Sequence, residues 1–231
     1  MRHAALRWLR ARAPNLYWRC RNAAALAGLY VHRLSASRAD AYDDGFWDFH
    51  AVGDWTGFAR AVLAYAPARS IADIGCGHGL AMDGFRQVDP TIDLRGYDDS
   101  ESARRRAHER GLTVEPLDIV ATSQAAAVAL ARDLSTVDLG VCLEVAEHLP
   151  PWHADKLLTI VAAPRRLVFS AAHPNQGGRF HVNEQPAQYW IRRLARHGLV
   201  LSSRDAEFRR DVAALDLPWW YAANVHLFER R

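Results

Sequence analysis

The chain has 231 residues, half of them apolar, and a formal net charge of +3, which suits one sizeable α/β domain with an appendage. Every basic residue except Lys156 is arginine, a coding bias that by itself says little about nucleic acid. No apolar run reaches the roughly 18 residues that span a bilayer, and Cys20, Cys76 and Cys142 lack the number and spacing of a disulfide framework or a zinc site; the expectation is a cytoplasmic protein in a reducing compartment.

Residues 1–39 read as a unit of their own. Eight arginines and no acidic residue lie between Arg2 and Arg38. Leu6, Leu9, Leu16, Tyr17, Leu26, Leu29 and Tyr30 recur among them at roughly helical spacing, with a break at Pro14. This predicts a basic amphipathic arm of two short helices, either packed on the main domain or touching a membrane surface or anionic partner. Residues 41–55 then gather Tyr42, Phe46, Trp47, Phe49, His50 and Trp55, as a lid over a ligand or an anchor for the arm. Asp54 is placed to cap a helix that Pro67 stops.

From residue 40 to 231 we expect one domain. Strands are predicted over 70–75, 92–97, 112–116, 137–143 and 166–171. Helices fall between them at 80–88, 100–110 and 123–133, and from 144 past Pro151. A polar loop over 172–185 leads into a helix over 186–197, and two last strands are expected at 199–203 and 220–228. Such alternation predicts a doubly wound, seven-stranded, mostly parallel sheet with helices on both faces.

Ligands of such a sheet bind beyond the carboxyl ends of the strands, so the polar residues there are candidates as a group. Residues 71–79 read Ile-Ala-Asp-Ile-Gly-Cys-Gly-His-Gly, and the alternate glycines let backbone turn sharply and approach a ligand. This stretch resembles the first motif of class I S-adenosylmethionine-dependent methyltransferases, an acid followed by G-x-G-x-G, matched by Asp73, Gly75, Gly77 and Gly79. An acid there would repel a pyrophosphate and suits an ammonium or sulfonium. The resemblance implies S-adenosylmethionine as cofactor, Asp98 holding its ribose hydroxyls, Asp118 and Ile119 its adenine, and Glu144 completing the cofactor set. It also implies that one of the closing strands is antiparallel.

Glu144-Val-Ala-Glu147-His148 resembles the Glu-x-x-Glu-His segment that follows strand four in many of these enzymes. In a minority it ligates a divalent cation, which would place magnesium or manganese on Glu144, Glu147 and His148 with His181 or His173 added. His148 is the first choice of base for a hydroxyl acceptor, oriented by Glu147, with His173 and His181 next. The loop residues His173, His181, Asn183 and Glu184 are the acceptor-binding candidates. The His-Val-Asn-Glu-Gln run from His181 resembles a bacterial subgroup associated with glycan and glycolipid modification, which implies O-methylation of a saccharide or glycolipid hydroxyl. Two alternatives stand beside it: an RNA 2′-O-methyltransferase with a metal site, and an idle cofactor-binding subunit.

Overall fold

The computed structural model describes residues 44–231 together with 8, 9, 11–13, 16, 17, 20–25, 27, 28 and 42. The first elements are α1 (Asp44–Phe49), α2 (Trp55–Tyr65), β1 (Ser70–Ile74), α3 (Leu80–Val88), β2 (Asp93–Asp98), α4 (Glu101–Glu109), β3 (Val114–Pro116) and α5 (Gln124–Leu134). They continue through β4 (Leu139–Leu143), α6 (Ala154–Val161), β5 (Arg166–Ser170), α7 (Ala187–Arg196), β6 (Leu199–Leu201), α8 (Asp205–Ala213), α9 (Trp219–Asn224) and β7 (His226–Arg230). Residues 8, 9, 11, 12, 16, 17, 20–25, 27 and 28 of the arm are helical; Pro14 and the boundary at residue 40 lie outside the described residues. No helix among the described residues is long and apolar enough to cross a membrane.

The strands lie in the order β3-β2-β1-β4-β5-β7-β6. Strands β1 to β5 pair in parallel, and β7 runs antiparallel to both β5 and β6. Successive side chains of a strand point to opposite faces, and here both faces are apolar. Ile71, Leu139, Val141, Val168 and Leu227 pack against Phe58 of α2, Phe85 of α3 and Phe208 of α8. Ala72, Ile74, Cys142, Leu167 and Phe169 pack against Leu134 of α5, Leu158 of α6 and Leu194 of α7. Covered on both sides, the sheet leaves its carboxyl edge as the place where polar groups can meet a ligand.

Three segments depart from expectation. The start of the strand expected at 220–228 is instead the six-residue helix Trp219–Asn224, with Pro218 at its N-cap, and β7 starts only at His226. The charged stretch before it is α8, which buries Phe208 and Val212. Glu144 to His148 is not on an α-helix: Glu144 has φ 54°, only a 3-10 turn over Ala146–His148 follows, and Pro150 and Pro151 interrupt before α6 begins. The left-handed Glu144 and the two prolines rule out a continuous helix.

Helices α2 and α3 touch through Gly84, where an added Cβ would stand 2.3 Å from the Trp55 carbonyl oxygen. Alanine would gain about 1 kcal/mol of helix propensity, but backbone cannot swing aside as a side chain can, and overpacking costs about 1–3 kcal/mol. Gly84→Ala should therefore lower the midpoint of urea unfolding; a rise would mean that the helices separate freely.

Candidate active site

The glycine turn is fixed to the end of β2, because the N–H groups of Gly75 and Cys76 both donate to the Tyr97 carbonyl, at 2.7 and 3.1 Å. Gly75 and Gly77 have φ of 76° and 54°. A Cβ at Gly75 would lie 2.4 Å from Val145, and one at Gly77 would lie 2.8 Å from the Trp47 ring. Asp98 accepts from the Gly77 and Ser100 N–H groups, each at 2.8 Å, which ties turn and strand end together and leaves the carboxylate further lone pairs. Asp118 accepts from the Val120 and Ala121 N–H groups through one oxygen. Gly75, Cys76, Gly77, Asp98 and Asp118 line a cavity of about 710 Å³, whose wall also includes Asp73, Ile119, Glu144, His148 and His181.

Burial, reinforced by Asp98, pushes the Asp73 carboxyl up to about 8. Burial also raises Asp98, to about 6, against the pull of its two backbone donors. Both acids thus face a cavity that is short of positive charge. His78, unnoticed in the sequence, is held down to about 4 by burial and by Arg110 and Arg106. Its ring lies against Trp47, and its Nε2 has no hydrogen-bond partner among the described residues.

At the other end of the cavity, donor atoms of Glu147, His148 and His181 lie within 4.8 Å of one another. Glu147 is wholly buried, and neither carboxylate oxygen has a hydrogen-bond partner among the described residues. Burial and the neighbouring Glu144 raise it well above the carboxylate range. Burial, with His181 nearby, lowers His148 to about 3. A base poised near neutrality, as the sequence suggested, is therefore not what this histidine is; it is a neutral imidazole, the form that ligates metals. Its Nδ1 stands 3.2 Å from the Tyr42 hydroxyl.

Glu144, beside Glu147, has partners of its own. One of its oxygens accepts from Gln176 Nε2 at 2.7 Å and the other from Asn224 Nδ2 at 3.1 Å, while Asn224 also donates to Gln176 Oε1. Burial raises its carboxyl. The group of possible ligand atoms among the described residues is one carboxylate and two imidazoles, Glu147, His148 and His181, and the expected Glu144 is not part of it.

The acceptor-binding candidates also divide. His181 is on the cavity wall; His173, Asn183 and Glu184 are not. Asn183 and Glu184 are fully buried beneath it. The N–H groups of Val182 and Asn183 both donate to the Glu147 carbonyl, at 2.8 and 2.9 Å, so the loop is bound to the 3-10 turn. The wall instead carries Tyr42, Phe46, Phe180, Trp219, Trp220 and Tyr221. Helix α1 holds to α4 through Trp47 Nε1 donating to Ser102 and Arg106 pairing with Asp48 at 2.8 Å. The aromatic run before the glycine turn is therefore a wall of the cavity. Trp220, Tyr221 and Asn224 are absent from the sequence-based site because they read as strand; the pair of prolines at 150 and 151 was the available warning for Glu144.

The ordinary aspartate value is 3.8, so between about 4 and 8 the folded state holds a proton on Asp73 that the unfolded chain has released. Stability from this group is thus present at low pH and lost as pH rises through that window, with a slope of at most about 1.4 kcal/mol per pH unit. Denaturant titrations at pH 5 to 8 should show this decline, and Asp73→Asn should flatten it. An unchanged slope in the variant would remove Asp73 as its source.

No protein-family model matches the chain. The ubiquinone biosynthesis O-methyltransferase of Cupriavidus pinatubonensis is 27% identical over 165 residues, or 67% of this chain and 63% of the relative. The chain thus spans less than two thirds of that protein's length. Among solved structures, the methyltransferase domain of bacterial CtHen1-C superposes with a TM-score of 0.53 at 18% identity, covering 77% of this chain and 97% of that one. Magnesium protoporphyrin IX methyltransferase from Synechocystis with bound S-adenosylhomocysteine gives 0.52 at 18%, covering 75% and 81%. A methyltransferase from Archaeoglobus fulgidus gives 0.53 at 15%, covering 82% and 100%. With its seven strands in this order and β7 reversed, the chain has the fold of the class I S-adenosylmethionine-dependent methyltransferases.

Proposed function

We propose that the protein transfers a methyl group from S-adenosylmethionine to a hydroxyl oxygen of a small acceptor with an apolar body. The observation that carries this reading is one continuous cavity, with the glycine turn and Asp73, Asp98 and Asp118 at one end and His148 and His181 at the other. S-adenosylmethionine supplies a methyl group on a positively charged sulfur. The residues present fit it: cavity volume, close backbone approach and carboxylates raised by want of a cation all suit a cationic nucleoside. Asp73 would face the ammonium and sulfonium end, Asp98 the ribose hydroxyls, and Asp118 and Ile119 the adenine. Glu144 supports the cavity floor between the two ends.

Methyl transfer is an in-line displacement, so the protein's tasks are to position the acceptor and help remove its proton. A divalent cation fits the far end, because Glu147 is a buried carboxylate with both oxygens unpartnered. Glu147, His148 and His181 would hold it. Two imidazoles and one carboxylate favour manganese or another transition metal over magnesium. Such a cation acidifies a hydroxyl near it. Glu147 and the neutral His148 are the catalytic residues in this reading, with His148 serving as a ligand.

The named relative is an O-methyltransferase, which supports oxygen as the acceptor atom. The saccharide reading has lost Asn183 and Glu184 from the cavity wall, whereas the wall is aromatic; a glycolipid or aromatic hydroxyl compound retains support. RNA is disfavoured, since Arg179 is the one arginine or lysine on the wall among the described residues and phosphate binding relies on such groups.

Release of S-adenosylhomocysteine should be measured with phenols, glycolipids, free sugars and a short RNA, with and without chelator. Turnover on the first two, abolished by chelator and restored by manganese, is expected. Tight cofactor binding with no turnover on any acceptor would favour the idle-subunit alternative, and chelator-resistant turnover would remove the cation. His148→Ala should cut kcat by at least about 100-fold and leave cofactor affinity within threefold. Asp73→Ala should weaken cofactor binding about tenfold, the scale of one lost charge-assisted contact.

A further inference from the structure

The carboxylate beneath the loop connects the cavity to the N-terminal arm. Glu184 is wholly buried and gathers four donors. One oxygen accepts from the Asn175 N–H at 2.8 Å; the other accepts from the Gly177 N–H at 2.8 Å, from His181 Nδ1 at 3.1 Å and from Arg21. Four donors converging on one buried carboxylate, a guanidinium among them, are the partners of an anion. An anionic acceptor at Nδ1 commits the Nδ1 proton and leaves the lone pair on Nε2. The ring is confined from the other side by Gly178, where a Cβ would stand 2.1 Å from His181 Nε2. It crosses the His148 ring nearly at right angles, at 4.8 Å between centroids.

Arg21 belongs to the arm, outside the sheet domain, and its side chain is 28% exposed. Next to it, Asn22 Nδ2 donates to the Glu184 carbonyl at 3.4 Å. Removing the cation from a buried pair leaves its partner uncompensated, and a buried carboxylate in that condition reorganises its donors or takes up a proton.

We propose that Arg21 and Glu184 are positioning residues: by pairing with Glu184, the arm fixes His181 as its Nδ1–H tautomer with Nε2 presented toward Glu147 and His148, so the far end of the cavity is complete only when the arm is docked. This rests on the reading of Glu147, His148 and His181 as a cation centre. An outer carboxylate orienting a ligand histidine typically changes metal affinity 10- to 100-fold. Lysine at position 21 supplies charge without the planar fork of arginine, so it should rescue in part.

Two measurements on the full chain with S-adenosylhomocysteine bound test this. Long-range nitrogen–proton spectra of protein carrying labelled histidine, with His181 assigned through His181→Asn, read the tautomer without metal or turnover. Manganese titration followed by electron paramagnetic resonance reads affinity. Wild type should show His181 with its proton on Nδ1 alone, and Arg21→Ala and Glu184→Gln should mix the tautomers and weaken manganese binding at least tenfold, with Arg21→Lys between. If both variants keep the Nδ1–H tautomer and an affinity within twofold of wild type, the proposal is overturned, even should their melting temperatures fall. A wild type that binds no manganese, yet whose tautomer shifts in the variants, supports the positioning role while refuting the cation centre.

Discussion

Four carboxylates withdrawn from water at one edge of a sheet are a burden the whole structure accommodates. Asp73, Asp98, Glu144 and Glu147 all have their acidity weakened by burial before any other influence. Each is treated differently. Asp98 receives backbone N–H groups from the turn, Glu144 receives two amide side chains, Asp73 faces the cavity, and Glu147 is left without a hydrogen-bond partner. Buried polar groups are normally paired. Asp73 on the cavity wall and Glu147 buried behind it are the two that the fold supplies with least compensation.

The rest of the architecture can be understood as making that edge possible. Burying both faces of the sheet removes the alternative of placing polar groups along the strands. The left-handed Glu144 breaks the chain out of β4, and its carboxylate takes the Asn224 and Gln176 amides. The loop after β5 is bound to that break by the Val182 and Asn183 N–H groups and braced from below by Glu184. Aromatic side chains from α1 and α9 then wall the cavity, His50 meeting Trp220 across it. The same physical need, compensation of buried charge, links the arm to the loop through Arg21.

Much of this was legible in the sequence because it depends on short-range rules. Period-two and helical periodicities placed six of the seven strands, Gly-x-Gly-x-Gly announced the turn, and Pro67 and Ser123 marked element ends. Residue type and position mark His181 in the loop and Asp73, Asp98 and Asp118 at strand ends. What was misread has long-range causes. Asn183 and Glu184 are the polar residues one would send to a sugar, yet they are buried because the loop folds back under Glu147. His148 looked like a base at its ordinary acidity, and burial moved it to about 3. Trp220 and Tyr221 have strand propensity, and packing against His50 and Trp55 overrode it.

The sequence by itself determined the layered sheet, the glycine turn and the acids at the strand ends, since alternation, turn chemistry and residue type are local properties of the chain. Only the tertiary structure decided which of those acids share a cavity, that Glu147 lies within reach of two imidazoles, and that an arginine far upstream pairs with Glu184. Burial and charge compensation are sums over neighbours brought together by the fold, and no window of sequence contains them.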